Sequence, residues 1–220
     1  MIDLVFPQQT LEANEEAFIT VAEKLEHSGL LFLYEKVDKQ VVERIKKLQQ
    51  KTQLKFFIGL KKTSANLDHR IENLPIFPDL NLIVAEGPDH ARHCIEKLDV
   101  QLVYNLETSL RGDAPKQPQS GFNHILATIA HEKNKIWGLS FSLLLASRGM
   151  KRTQLLGRIK QNIKLCRKYK VQMCFASFAT HPYQMRAWRD LMGVGIILGM
   201  TPGEAKKAVL GAATFLPANP

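Results

Sequence analysis

Lys160, Lys164 and Lys168 recur at every fourth position of the stretch Arg152–Tyr169. That spacing sets three ammonium groups on one side of a helix, with Arg158 on the flank, while Leu155, Leu156, Ile159, Ile163 and Cys166 form an apolar arc that faces a core. Lysines four apart repel one another, and a merely solvated face ordinarily mixes both signs. The one-signed character extends well beyond this helix. Lys133–Arg189 is fifty-seven residues with thirteen Lys and Arg and no Asp or Glu, so the whole formal net charge of +9 rests on it. Such a block repels itself unless a polyanion neutralises it, and a phosphate backbone releases counterions on contact. Nucleic acid is the first partner implied. Arg186-Ala187-Trp188-Arg189-Asp190 adds two guanidiniums at a helix start, beside an indole able to pack or to stack on a base.

Other chemistry is poorly supported. His90 and His93 are three apart, His124 follows a helix start, and His131-Glu132 lacks a second histidine four residues on. None has the spacing of a metal site. Gly138-Leu139-Ser140-Phe141 lacks the closing glycine of a nucleophile elbow. Asp3, Asp190 and Glu204 do not assemble a catalytic carboxylate pair, and Asp190 fits the first turn of its helix, where the dipole favours it. Cys94, Cys166 and Cys174 lie far apart and read as reduced, buried thiols of a cytoplasmic protein. No apolar run reaches the length of a membrane span, and Met1-Ile2-Asp3-Leu4 lacks the order of a signal peptide.

Positioning these residues requires a regular scaffold. At 220 residues and 45% hydrophobic content the chain fits one domain, residues 1–220. Candidate strands are Ile2–Phe6, Leu30–Tyr34, Leu54–Leu60, Leu80–Ala85, Val100–Tyr104, Ile136–Phe141 and Gln172–Ser177. Most are too uniformly apolar to be half-solvated, which suits strands covered on both faces. Amphipathic helices fall around residues 10–27, 38–51, 88–98, 121–132, 152–170 and 187–199. Thr201-Pro202-Gly203-Glu204 is a capping box opening a last helix through Leu210, with residues 212–220 as a frayed tail. Lys61–Pro78 reads as a long excursion, and Arg111–Gln119 as a mobile loop. Alternating strands and helices imply right-handed crossovers and a parallel sheet. With no Gly-x-Gly-x-x-Gly after the first strand, an α/β fold of irregular TIM-like (β/α) barrel type is favoured over a doubly wound sheet, with about seven parallel strands and surrounding helices.

The second half resembles archaeal ribonuclease P protein component 3, counterpart of the thirty-kilodalton subunit of the eukaryotic enzyme. The resemblance rests on Ser120-Gly121-Phe122-Asn123-His124-Ile125-Leu126, Glu132-Lys133-Asn134, Trp137-Gly138-Leu139-Ser140, Leu165–Val171, Ala176-Ser177-Phe178-Ala179, Arg186–Leu191, Gly199-Met200 and Ala205-Lys206, in that order. It implies an irregular barrel related to the polymerase-and-histidinol-phosphatase metal hydrolases. Those open with Asp-Leu-His-x-His; here Asp3-Leu4-Val5-Phe6-Pro7 lacks both histidines. The family often carries Phe-Ser-Leu-Arg-Pro after the sixth strand, and Ser142 stands in place of that arginine.

The resemblance further implies a subunit of ribonuclease P, the ribonucleoprotein endonuclease that removes 5′ leaders from precursor tRNA. In that family the RNA carries the chemistry, and the protein helps fold it. The implied partners are ribonuclease P RNA, protein component 2 and other sister subunits, with precursor tRNA engaged indirectly and no membrane. No cofactor is expected on the protein, magnesium entering only through the RNA. Family positions for RNA or assembly map onto Arg92, Arg111, Lys133, Lys168, Arg186, Arg189 and Lys206, which join Lys160 and Lys164 from the charge pattern. The alternatives are a metal-dependent phosphoesterase of the related hydrolase type and a basic barrel for a phosphorylated metabolite. The missing histidines count against the first, and the spread of the charge against the second.

Overall fold

Seven short apolar runs become seven parallel strands in the computed structural model, which describes residues 1–7, 12–62, 80–88, 90–109, 112–113 and 118–216. They are β1 (Ile2–Val5), β2 (Gly29–Tyr34), β3 (Lys55–Lys62), β4 (Leu80–Glu86), β5 (Leu102–Tyr104), β6 (Ile136–Ser140) and β7 (Gln172–Ala176). Each hydrogen-bonds to the next in sequence order. Between and after them lie α1 (Glu12–Lys24), α2 (Lys39–Gln49), α3 (Ala91–Glu96), α4 (His124–Glu132), α5 (Phe141–Ala146), α6 (Gly149–Tyr169), α7 (Trp188–Ile197), α8 (Pro202–Leu210) and α9 (Ala212–Phe215). This is the α/β TIM-like barrel, nearly closed.

The uniformly apolar runs conceal a strict alternation. Leu31, Leu33, Phe57, Leu82, Val84, Leu102, Tyr104, Ile136 and Cys174 fill the barrel interior. Their neighbours Leu30, Phe32 and Phe56 meet one helical layer, and Ile83, Val103, Trp137 and Phe175 meet the other. Interior space is tight. A Cβ at Gly138 would lie 2.8 Å from Leu102 Cδ2 and 2.9 Å from Tyr104 Cβ, and one at Gly59 2.6 Å from Leu33 Cδ2. Both positions therefore face inward where no side chain fits.

Closure between β7 and β1 is sparse: one bridge joins Val5 and Ala179, and Phe6 N donates to Ala179 O at 2.7 Å. Asp3 completes the seam. Its Oδ1 accepts from Ser177 N at 2.8 Å and Leu4 N at 3.0 Å, tying the two ends of the sheet. Around the outside, buried charge is paired, as it must be. Arg44 of α2 donates to both oxygens of Glu15 of α1 at 2.8 and 2.9 Å, and the Tyr34 hydroxyl donates to the same carboxylate.

Several boundaries differ from the sequence expectation. Phe141 opens α5 instead of ending β6, because Ser140 caps it, accepting from Leu143 N at 3.3 Å. The basic helix starts at Gly149, a turn earlier than expected. Of the expected tail, Ala212–Phe215 form the short α9, whose Ala212, with the following Leu216, packs into the barrel-interior cluster with Ile2 and Leu4; residues 217–220 lie outside the described residues. Most of the 61–78 excursion lies outside the described residues.

Candidate nucleic-acid interface

The 21 residues of α6 make a helix about 31 Å long. Leu155, Ile159, Ile163 and Cys166 are buried, which anchors one face of the helix against the barrel. Lys160, Lys164 and Lys168 are exposed on the other, about 6 Å apart along the axis. None of the three has a carboxylate partner among the described residues; Lys168 Nζ lies 5.4 Å from the Tyr169 ring centroid. Helix α6 ends at Lys170 in a left-handed conformation, φ 57°.

Arg158 corrects the sequence reading. It is buried, not a flanking member of the exposed row. Its Nη1 donates to the carbonyls of Glu107 and Ser109 at 2.8 and 2.7 Å, and its Nε to Asp113 Oδ1 at 2.9 Å. It clamps the segment after β5 onto α6. Arg111 itself lies outside the described residues. Asp113 also accepts from Gln119 N at 2.6 Å, so the described part of the expected mobile loop is tethered. Beneath the clamp, Glu107 Oε1 accepts from Trp137 Nε1 at 2.9 Å and Asn162 Nδ2 at 2.6 Å. Burial pushes the Glu107 carboxyl up to about 7 against those donors. The hint in the sequence was Asn162, a polar residue beside Ile163 on the apolar arc; nothing local marked Glu107.

Other basic residues fall into pairs. Arg92 Nε reaches Glu96 Oε1 at 2.8 Å, and Lys133 Nζ donates to Glu96 O, so α3 and the end of α4 bring these two cations to one place. Arg167 forms a fork with both oxygens of Glu204, each at 2.7 Å, and donates to Gly199 O. That guanidinium, with the capping amide of Thr201, draws the Glu204 carboxyl down to about 2. The capping box thus also ties α8 to α6, and it leaves Lys206 exposed on α8.

After β7 comes a turn at residues 182–184 and then α7. Arg186 Nη1 donates to the carbonyls of Tyr183 and Met185, and its guanidinium lies 5.4 Å from the Phe141 ring centroid. Arg189 is exposed and stacks on Trp188, its guanidinium 4.5 Å from the ring centroid. The neighbouring barrel mouth holds a cavity of about 460 Å³ lined by Phe6, Lys61, Glu86, Tyr104, Ser140 and Phe178. Lys61 and Glu86 pair there at 2.7 Å. Burial raises the Glu86 carboxyl, but Lys61 and Asn105 hold it below its usual value. Tyr104 and Phe178 stack at 4.7 Å, with Phe178 in the left-handed region at φ 47°. The mouth is therefore aromatic, with Lys61 and Glu86 paired and Glu35 also on its lining. Among the described residues Lys160, Lys164 and Lys168 of α6 and Arg189 after β7 are exposed cations without a carboxylate partner. Among the described residues no three His, Cys, Asp or Glu are grouped as metal ligands. No described helix is long and apolar enough to cross a membrane.

A model of the RNase P subunit p30 family matches residues 1–216. Curated relatives named ribonuclease P protein component 3 include one from Methanosarcina acetivorans, 28% identical over 155 residues, which are 63% of this chain and 64% of that protein. One from Methanocaldococcus jannaschii is 25% identical over 183 residues, 81% of this chain and 76% of that protein. The alignment thus spans just under two thirds of the Methanosarcina acetivorans protein. A chain in the cryo-EM structure of archaeal ribonuclease P with mature tRNA superposes with a TM-score of 0.80, covering 98% of this chain and 89% of that one at 23% identity.

Proposed function

The chain belongs to the RNase P subunit p30 family, and from that premise we propose that it is a protein subunit of ribonuclease P that binds the enzyme's RNA through the outer basic surface of its barrel. The RNA cleaves precursor tRNA; the protein neutralises backbone charge, steadies the fold of the RNA and joins sister subunits, protein component 2 among them. The carrying observation is the row of Lys160, Lys164 and Lys168, exposed on a buried-face helix and without carboxylate partners among the described residues. Lys133 with Arg92, Lys206, Arg186 and Arg189 extend the same role, as does Arg111 in the sequence. Asp3 weighs against a phosphoesterase: the acid that opens the related hydrolase motif is here wholly buried and engaged in the barrel seam.

The test is reconstitution with ribonuclease P RNA and the sister proteins, with precursor tRNA as substrate. RNA affinity of the full chain should fall with log salt by roughly 0.7–0.9 per phosphate neutralised. Changing Lys160, Lys164 and Lys168 together to Ala should flatten that slope with the fold intact. An unchanged slope in the folded triple variant removes this helix face from the RNA interface. Metal-dependent cleavage by the purified chain alone, abolished by changing Asp3 or His124, overturns the non-catalytic reading.

A further inference from the structure

Tyr183 is 79% exposed, more than any other described large apolar side chain. Folding gains nothing from so open a ring, yet its backbone is pinned on every side. Gln184 Oε1 accepts from Thr180 N at 2.8 Å and from His181 N at 3.3 Å, and the His181 ring accepts from Tyr183 N at 3.4 Å. Arg186 Nη1 holds Tyr183 O at 2.9 Å, and buried Pro182 fixes the turn from below. His181 lies against Tyr183 with ring centroids 5.3 Å apart. The result is a pre-positioned aromatic surface whose side chain has few rotamers to lose on binding.

Its surroundings select the ligand. Arg186 and the stacked Arg189–Trp188 pair follow within six residues, and neither arginine has a carboxylate partner among the described residues. No Asp or Glu occurs between Lys133 and Arg189. Rings interleaved with cations match a strand that presents bases and phosphates alternately.

We propose that the turn at Thr180–Arg189 is a stacking platform for single-stranded RNA, an unpaired base lying on Tyr183 while Arg186 and Arg189 meet the flanking phosphates. This rests on the RNA-binding function and adds the base-contacting site to it. Stacking differs from charge neutralisation in its readout: it changes affinity at every salt concentration without changing the number of counterions released.

The probe is a single-stranded RNA oligonucleotide carrying one 2-aminopurine, titrated with the full chain at several salt concentrations. Wild type and Tyr183→Phe should bind alike and quench the 2-aminopurine. Tyr183→Gln, at unchanged melting temperature, should bind roughly five- to 100-fold more weakly with the quench lost and the salt slope retained. Wild-type affinity and quenching in Tyr183→Gln overturn the platform; should the triple lysine variant still flatten the slope, the RNA-binding function stands without it. Normal RNA binding by Tyr183→Gln with failed assembly onto the sister proteins also overturns it, and assigns the ring to a protein contact.

Discussion

Replacing Glu107 by Gln isolates one buried charge under the basic helix. The carboxyl is 1% exposed and titrates near 7 instead of the ordinary 4.5, because burial disfavours the anion more than Trp137, Asn162 and Arg158 favour it. That difference corresponds to about 3 kcal/mol. The folded protein holds the proton more tightly than the unfolded chain, so this contribution is fully present below about pH 4.5. It is lost as pH rises through about 7. Gln stays neutral and keeps Oε1 as acceptor for Trp137 Nε1 and Asn162 Nδ2. Its amide nitrogen falls where Oε2 has no partner, a cost of about 1–3 kcal/mol that does not vary with pH. Urea denaturation of both proteins at steps from about pH 5 to about pH 8 therefore gives a difference that shifts toward the Gln variant by about 2.5 kcal/mol, the rest of the effect lying below that range. The titration of Asp3 is common to both and cancels. A difference flat across that range refutes the reasoning and means that Glu107 is ionised in the fold throughout.

Asp3, raised to about 6 by burial in the seam, acts in the same sense at lower pH. Asp3→Asn should make the fall in stability between about pH 4 and about pH 6 shallower than in wild type, leaving the part that belongs to Glu107, measured by the same denaturation series. Arg158→Met should destabilise by about 2–3 kcal/mol through two carbonyls left without donors and an unpaired Asp113, read from the denaturation midpoint. Gly138→Ala should cost roughly 1–3 kcal/mol because the new methyl meets Leu102 and Tyr104 inside the barrel, whereas Gly157→Ala, facing open space on α6, should not. Arg186→Lys and Arg189→Lys keep the charge but lose the planar fork and its stacking. Each should lower precursor-tRNA cleavage by the reconstituted complex by roughly fivefold, and full activity with both changed removes the pair from the interface.

Much of the barrel was legible because its signals are local. Seven apolar runs bounded by glycines and polar helices specify strands covered on both faces, and Thr201 with Glu204 announces a helix start whatever surrounds it. The exposed lysine row was equally plain, since periodicity alone places Lys160, Lys164 and Lys168 opposite Ile159 and Ile163. What periodicity cannot give is partnership across long separations. Arg158 is a cation of the same basic helix and borders its apolar arc, and it is buried because the chain after β5, some fifty residues earlier, supplies its acceptors. Arg167 is likewise claimed by Glu204 and drops out of the free charge. Asp3 looked like a remnant of a catalytic motif and became the tie across the seam only when β7 returned to β1. Tyr183 carried no sequence signal at all, because exposure is set by what fails to pack over a ring. Local spacing thus determined the elements and the sign of the surface, while the closure of the barrel decided which charges are spent within the fold and which remain for a partner.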